Sequence, residues 1–478
     1  MITVIVTVGI VLIAVLGMTG RKKARDVESW AVAERNMPRW TSWFLQAGES
    51  LTTFSFLGLA GIAFAGGASA TFAVAYLTLS AILLYFISPR IRDLAVNKGY
   101  VTMSDFLSDR YRSPWLGRVT AVVGALSLIP YLQLQITGLG LIVQLATGSE
   151  AARGLSMVIA SALVVLFVTR SGIRGIARVA YLKDVLMVVA LLIVAGGVII
   201  SIGGVPEVFG QVAQHDPVML TLGAHGYDTT FFVTSVIVTT LAAGFNTFPH
   251  LWPPVLAAKS SDVLRSNYKW LSLYQVALFL PIFIGFAAIL VLDPATKPNA
   301  ALFGVATATL PAWLVGVVAV AGASAAMVPS AAIAMGISTL VTRNVLSIGN
   351  PRTALRVNHA VVVVATLGAL AFGLKQSNIA ELLLITYGGL AQLIPAVAMA
   401  LGVRVRIGAL PIMLGAITGI VSVIVLTFAD INVGSWDTGL VSLLPNVIVV
   451  AVAEVIRRTT MTTSTPEPTA APKVTVEV

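Results

Sequence analysis

The sequence predicts an all-α polytopic membrane protein, and composition and run length are the observations behind this prediction. Of the 478 residues, 57% are hydrophobic and only 10% are charged, whereas a soluble domain carries roughly 25% charged residues. The hydrophobic residues form uninterrupted runs of about 20 residues, the length an α-helix needs to cross a bilayer. Barrel strands would instead alternate polar and apolar residues. A soluble enzyme, a disordered chain and, without any Cys, a disulfide scaffold are excluded.

Thirteen apolar runs are long enough to be transmembrane helices. The first run has no basic residue before it and several after it, which is the wrong polarity for a cleaved signal peptide. Segment 99–112 is expected to form a short interfacial helix. The predicted spans are 1–18, 40–66, 70–89, 118–146, 152–171, 177–202, 229–257, 268–293, 310–342, 356–375, 379–403, 408–428 and 438–456.

Basic residues predict the orientation of these spans. The segments that would face one side of the membrane hold 27 of the 30 Lys and Arg residues; the other side holds only Arg153, Lys297 and Lys375. Because basic residues favour the cytoplasmic side, the amino terminus is expected outside and the carboxyl terminus inside the cell membrane. The net charge of +10 is explained by this cytoplasmic face, so it implies no nucleic acid, and no obligate protein partner is evident.

Two runs contain residues that interrupt a helix. Residues 48–67 read GESLTTFSFLGLAGIAFAGG, and residues 242–255 read AAGFNTFPHLWPPV. Gly58, Pro249 and His250 are the candidates for helix breaks or gates; His250 could shuttle protons or cap freed carbonyls. Non-helical backbone at membrane depth is tolerated only against protein or a water-filled cavity. Each interrupted run is the first of five, as expected for an inverted-repeat transporter.

This pattern divides the chain into six parts. The expected organisation is an extra helix with a basic cytoplasmic loop (1–39), a first repeat (40–202), an extracellular loop (203–228), a second repeat (229–403), two further helices (404–458) and a disordered cytoplasmic tail (459–478).

Glu49 is the acidic residue predicted deepest in the membrane. It lies nine residues into its span, about 14 Å deep at about 1.5 Å per residue. An ionised carboxylate at that depth is costly, so Glu49 is expected either to be protonated or to hold a cation. The alternative is a carboxylate satisfied by a neighbouring helix. Asp184, beside Lys183, is expected to form a local ion pair.

Several longer segments resemble the sodium:solute symporter family, over about residues 30–405. Within that family the sequence is most similar to the bacterial monocarboxylate permease branch. The resemblance implies a LeuT-like core of five plus five helices, with one extra helix before it and two after it. The segments are GESLTTFSF (48–56), GYVTMSDFLSDRYRS (99–113), IPYLQLQITG (129–138), SGIRGIARVAYLKD (171–184), FNTFPHLWPPVLAAKSSDVLRSN (245–267), MVPSAAIAMGISTLVTRN (327–344) and GGLAQLIP (388–395).

The resemblance also implies site residues. A sodium ion would be held by the carbonyls of Gly48 and Leu51 and by the Ala326–Ser330 stretch. The family's hydroxyl pair is there reduced to Ser330, so either Na⁺ or H⁺ remains as the coupling ion, and no cofactor is expected. The implied substrate residues are Ser50, Thr52, Ser55, Gln133, Gln135, Asn246 and Gln392, and the implied ion-coupling residues are Gly48, Glu49, Leu51, Ala326, Pro329 and Ser330.

Three functions remain open at this point. The first is a symporter of short monocarboxylates such as acetate, propionate, pyruvate or lactate. The second is sodium-coupled symport of proline, pantothenate or a sugar. The third is a channel or a membrane-embedded enzyme, which lacks support because no HExxH motif, no GxSxG triad context and no filter-like repeat is present.

Overall fold

The computed structural model describes residues 1–19, 24–48, 50–224, 226–374, 379–429 and 431–463, with side chains up to residue 460. Each of the thirteen predicted runs contains helix. Among the described residues, eight helices are long and apolar enough to cross a membrane, or up to ten if each of two bent pairs is one span. The chain is therefore a multi-pass helical protein, while the count of thirteen and the orientation stay predictions. The tail predicted to be disordered lies mostly outside the described residues.

The first half of the chain is helical apart from short connections. Segment 99–112 contains a short helix, α6, whose first turn is capped by Thr102 and Asp105 in a reciprocal capping box. The helices are α1 (Ile2–Met18), α2 (Val27–Val32), α3 (Arg39–Ala47), α4 (Leu59–Gly66), α5 (Phe72–Lys98), α6 (Met103–Arg110), α7 (Pro114–Thr147) and α8 (Glu150–Ile202).

Helix α8 contains a sharp kink at Gly172. This residue has φ +54° and ψ −147°, a backbone conformation that glycine adopts and other residues avoid. A Cβ atom here would also lie 2.4 Å from the carbonyl oxygen of Trp30. The kink separates the two predicted spans 152–171 and 177–202, so the continuous helical run is two helices in space.

The second half begins with the predicted loop 203–228, which contains a short helix and a β-hairpin whose two strands have two residues each. Asp228 caps the next helix, because its side chain accepts a hydrogen bond from the backbone N–H of Phe231. The elements are α9 (Val205–His215), β1 (Gly223–Ala224), β2 (Tyr227–Asp228), α10 (Thr229–Gly244), α11 (Trp252–Ala257), α12 (Ser261–Tyr274), α13 (Phe279–Val291), α14 (Ala301–Thr309), α15 (Ala312–Leu340), α16 (Pro351–Gly373), α17 (Ile379–Ala391), α18 (Ile394–Ala400), α19 (Ala409–Phe428) and α20 (Thr438–Thr463).

Helix α15 forms the centre of the molecule. Of its most apolar stretch, 89% of the residues are buried, against 28% for α16 and α20. Helix α15 packs against α1, α7 and α8, and its many Ala and Gly residues allow close approach of neighbouring backbones. The outer helices therefore face lipid, and α15 packs against the 3₁₀ turn Pro249–Leu251 of the second interrupted helix.

Candidate functional site

The first predicted break is present between α3 and α4. Helix α3 ends at Ala47, and a π-helical turn over Phe54–Gly58 leads into α4. Between them, side chains replace the helical ladder: the hydroxyl of Ser55 donates to the carbonyl of Ser50 at 2.5 Å. The backbone N–H of Thr53 donates to Oε1 of Gln135 on α7 at 3.4 Å. The break is therefore held by α7 as well as by its own hydroxyls.

The second break is present between α10 and α11. Asn246 has φ +56°, a rare value for a residue other than glycine. The hydroxyl of Thr247 donates to the carbonyl of Ala242 at 2.8 Å, and the indole of Trp252 donates to the carbonyl of Asn246 at 2.7 Å. The chain bends by 44° across the break. The predicted break residues Pro249 and His250 lie in the 3₁₀ turn that follows it.

Both breaks border one cavity of about 70 Å³. Ser50 reaches it from the first break and His250 from the second. The remaining lining residues come from α3, α5, α7, α12, α17 and the neighbourhood of the second break. They are Gln46, Leu77, Ser80, Ala81, Leu84, Tyr131, Ala243, Phe248, Leu251, Pro254, Tyr268, Leu271, Gln275 and Tyr387.

The cavity combines an apolar wall with a few hydroxyl and amide groups. The amide of Gln275 donates to the hydroxyl of Ser50 at 3.1 Å. Its carbonyl oxygen is buried and has no hydrogen-bond partner among the described residues. The hydroxyl of Tyr387 donates to that of Tyr76 at 3.4 Å, and the ring of Tyr131 meets His250 edge-on at 5.5 Å. Among the described residues, those that line this cavity include no Lys or Arg.

Of the seven predicted substrate residues, Ser50 lines this cavity and the other six do not. Ser55 and Gln135 stabilise the first break, as described above. The amide of Gln392 donates to the carbonyls of Gly388 and Gly439, both at 3.0 Å, and so ties α17 to α20. Thr52 and Asn246 are buried, and Gln133 is half-buried. A role of these six residues in substrate binding stays a prediction.

Of the predicted ion-coupling residues, Gly48 and Leu51 lie in the first break, and Ala326, Pro329 and Ser330 lie in α15. The hydroxyl of Ser330 donates to the carbonyl of Ala326 within α15, at 2.7 Å. Ser330 lines a separate small gap between α7, α8 and α16, and Pro329 is buried beside it in α15. Glu49 lies outside the described residues. The sodium site therefore stays a prediction.

Lys183 is a buried charged residue at the first break that the sequence analysis did not assign to the site. Its amine donates to the carbonyls of Gly48 and Leu51, at 2.5 and 2.6 Å. The expected ion pair with Asp184 is confirmed, with 2.9 Å between nitrogen and oxygen, but both residues are buried. Lys183 adds to the basic residues that predict the cytoplasmic side, yet it is the seventh residue of the apolar run 177–202. That place inside an apolar run was the available signal.

Two interrupted helices that border a small cavity inside a multi-pass helical protein are the architecture of a secondary transporter. The chain belongs to the sodium:solute symporter family, whose sequence profile matches residues 30–433. Its identification as a transporter confirms the expectation drawn from the motifs, and the family name supports Na⁺ as a coupling ion.

Three comparisons with individual proteins agree with this assignment. The uncharacterized symporter YhjB of Bacillus subtilis is 32% identical over 477 residues, which cover 95% of this chain and 97% of that protein. A monocarboxylate transport permease protein of Rhizobium johnstonii is 26% identical, over 70% of this chain and 68% of that protein. The substrate-bound, outward-open structure of a Na⁺-coupled sialic acid symporter superposes with a TM-score of 0.79 at 15% identity, over 95% of this chain and 98% of that one. This last likeness shows the fold alone.

Proposed function

We propose that this protein is a secondary active symporter that imports a short monocarboxylate by alternating access, coupled to Na⁺ or H⁺. Acetate, propionate, pyruvate and lactate are the substrates of the required size. The observation that carries the proposal is the cavity between the two breaks. Its volume of about 70 Å³ is small beside the roughly 300–1,000 Å³ of pockets for drug-sized ligands.

The chemistry of the lining fits a small acid better than a sugar. A sugar presents a hydroxyl on nearly every carbon, and each would need a polar partner when buried. The wall around Leu77, Ala81 and Leu84 offers none, whereas it suits the methyl or ethyl group of a short acid. At the other side lie the hydroxyl of Ser50 and the amide of Gln275. That amide gives one N–H to Ser50, and its second N–H is a donor for the carboxylate. The relationship to a monocarboxylate transport permease protein supports the same substrate class.

The test is uptake by the purified protein in reconstituted vesicles, with sodium and proton gradients imposed separately. Labelled acetate, propionate, pyruvate, lactate, proline and glucose form the substrate panel. We expect accumulation of at least one acid above its equilibrium concentration, driven by one of the two gradients. Accumulation of proline or glucose without any acid would contradict the proposed substrate class. Rapid flux without accumulation would indicate a channel instead.

A further inference from the structure

The amine of Lys183 is enclosed by oxygen atoms. The residue is 0% exposed, and its nitrogen lies 2.5 Å from the carbonyl oxygen of Gly48, 2.6 Å from that of Leu51 and 2.9 Å from a carboxylate oxygen of Asp184. A lysine ammonium has three N–H donors and no acceptor. Two of these donors are used by the two carbonyls, and the carboxylate of Asp184 lies at ion-pair distance.

The two carbonyls belong to the break in the first interrupted helix. The backbone N–H of Thr52, which would bond to the carbonyl of Gly48 in a continuous helix, bonds instead to the hydroxyl of Ser55 at 3.3 Å. A carbonyl freed in this way at membrane depth needs a donor or a cation. The charged amine from α8 supplies both, and Asp184 balances its charge.

The same two carbonyls are the ones that the family resemblance assigns to a sodium ion. The residues present do not fit a sodium ion at this point. Both carbonyls are engaged by the ammonium group, and a second positive charge beside it would be repelled. The Ser330 hydroxyl, the side-chain oxygen of the predicted set that lies among the described residues, donates to the carbonyl of Ala326 within its own helix.

We propose that Lys183 is a tethered cation that takes the position of a bound sodium ion at the first break. Lys183 is then a positioning residue. Its ammonium group holds the break in its observed shape without any ion from solution. This inference deepens the proposed function. Its consequence for ion coupling rests on the protein being the proposed symporter. A coupling ion must then act through groups other than this carbonyl pair.

The first test removes the amine and asks whether a free cation replaces it. Thermal unfolding of Lys183→Ala is measured in NaCl, NH₄Cl and choline chloride at equal ionic strength. The variant leaves two carbonyls and a carboxylate, a set of oxygen ligands that suits a small cation. We expect a lower unfolding temperature than wild type in choline and a partial recovery in sodium and ammonium, larger than any response of the wild type. The proposal would be overturned if no cation raises the unfolding temperature of the variant more than it raises that of the wild type. It would also be overturned if the variant cannot be purified in folded form in any of these salts.

The second test keeps the volume and removes the charge. Lys183→Met is expected to unfold at a lower temperature than wild type and to respond to no cation, because its side chain blocks the position. The matched control is Lys269→Met on the exposed side of α12, which should behave as wild type does in all three salts. A Lys183→Met protein as stable as wild type would show that the ammonium charge is not needed, and would likewise overturn the proposal.

These measurements use no substrate, so they separate this inference from the proposed function. If the wild type accumulates no monocarboxylate under either gradient, the proposed function fails while the unfolding series still decides the role of Lys183. If uptake is found, uptake by Lys183→Ala should depend more strongly on sodium than uptake by the wild type does at the same pH. Equal sodium dependence of uptake in both proteins would contradict the inference and leave the proposed function intact.

Discussion

Gln275 joins the first broken helix to the far wall of the cavity. Its amide donates to the hydroxyl of Ser50, and its buried carbonyl oxygen has no hydrogen-bond partner among the described residues. A buried polar atom without a partner costs about 1–3 kcal/mol, so this oxygen needs a donor from a ligand or a water molecule. The second N–H of the same amide is the donor for a carboxylate oxygen. No motif in the sequence singled out Gln275, because a lone Gln in an apolar run is compatible with many roles.

We therefore predict that Gln275→Ala raises the KM for uptake about tenfold, the equivalent of about 1.4 kcal/mol, with a smaller effect on maximal rate. The measurement is the concentration dependence of labelled acid uptake in vesicles. Gln211→Ala, at an exposed position of α9, serves as the control and should keep the wild-type KM. An unchanged KM in Gln275→Ala would exclude Gln275 from the substrate site.

Glu49 carries a second prediction at the scale of a single residue. Its sequence position, between the two carbonyl residues Gly48 and Leu51, motivates a role in handling the coupling cation. Glu49→Gln removes the charge and keeps the shape, so we expect exchange of labelled for unlabelled substrate to persist while gradient-driven accumulation is lost. Glu150→Gln, at an exposed helix start, is the matched control. Unchanged accumulation and pH dependence in Glu49→Gln would return Glu49 to a structural role.

At the scale of elements, the sequence reveals where helices stop but not what the freed backbone contacts. Pro249 and the surrounding small and polar residues predict the second break, because proline removes a backbone donor. The kink in α8 falls between two predicted spans for a similar local reason, at Gly172. The contact of Lys183 with the first break joins residues about 130 positions apart. It depends on how α8 packs against α3, which no local pattern records.

Packing of α7 against the first break yields a prediction about stability. A Cβ atom at Gly138 would lie 1.9 Å from Cγ2 of Thr53, so Gly138→Ala forces the two elements apart. Overpacking of this kind costs about 1–3 kcal/mol, and we expect a lower unfolding temperature with reduced uptake. Gly154→Ala on α8, where no atom lies within 4 Å of the added Cβ, should be tolerated. Adding Thr53→Ser removes the clashing methyl group and should restore stability; failure to do so would place the damage elsewhere.

The start of α20 yields a pH prediction. Asp437 lies just before this helix and accepts hydrogen bonds from the backbone N–H groups of Gly439 and Leu440. Burial raises its pKa to about 6, and those hydrogen bonds only partly oppose the shift. Because the folded pKa lies above the ordinary value of 3.8, the stabilising effect is complete below pH 3.8 and is lost as pH rises through 6.

Unfolding temperatures measured from pH 4 to pH 7 check the direction of this change in stability with pH. The wild type is expected to be more stable at the acidic end by up to roughly 3 kcal/mol from this group. The side chain introduced by Asp437→Asn is neutral over this whole pH range and can still cap the helix. The unfolding temperature of this variant should therefore lack the pH dependence that comes from Asp437. Asp293→Asn, at an exposed carboxylate, should keep the wild-type profile. A wild type and an Asp437→Asn variant with parallel profiles would contradict the prediction.

At the scale of the whole molecule, composition is sufficient to predict the class of protein. The resemblance of several motifs is sufficient to predict the family. A charged fraction of 10% leaves no polar shell for a soluble protein, and that deduction needs no three-dimensional information. The cavity is different, because its lining comes from at least six elements far apart in the chain. The family resemblance implies Ser50 as a substrate residue, but Gln46, Tyr268 and Tyr387 reach the cavity only through the packing of α3, α12 and α17. Their side chains resemble those of ordinary buried residues until the helices are assembled.

The last prediction concerns the charge that the whole carrier moves. One elementary charge falling through 100 mV gains about 2.3 kcal/mol, nearly two decades of concentration at about 1.4 kcal/mol per decade. A monocarboxylate anion that enters with a single cation moves no net charge, and Lys183 stays with the protein. We therefore expect uptake to be electroneutral and insensitive to membrane potential. Currents on substrate addition, recorded from vesicles adsorbed on a supported membrane, provide the measurement. A robust inward current would require at least two cations for each acid, and would rule out one-to-one coupling while leaving symport itself in place.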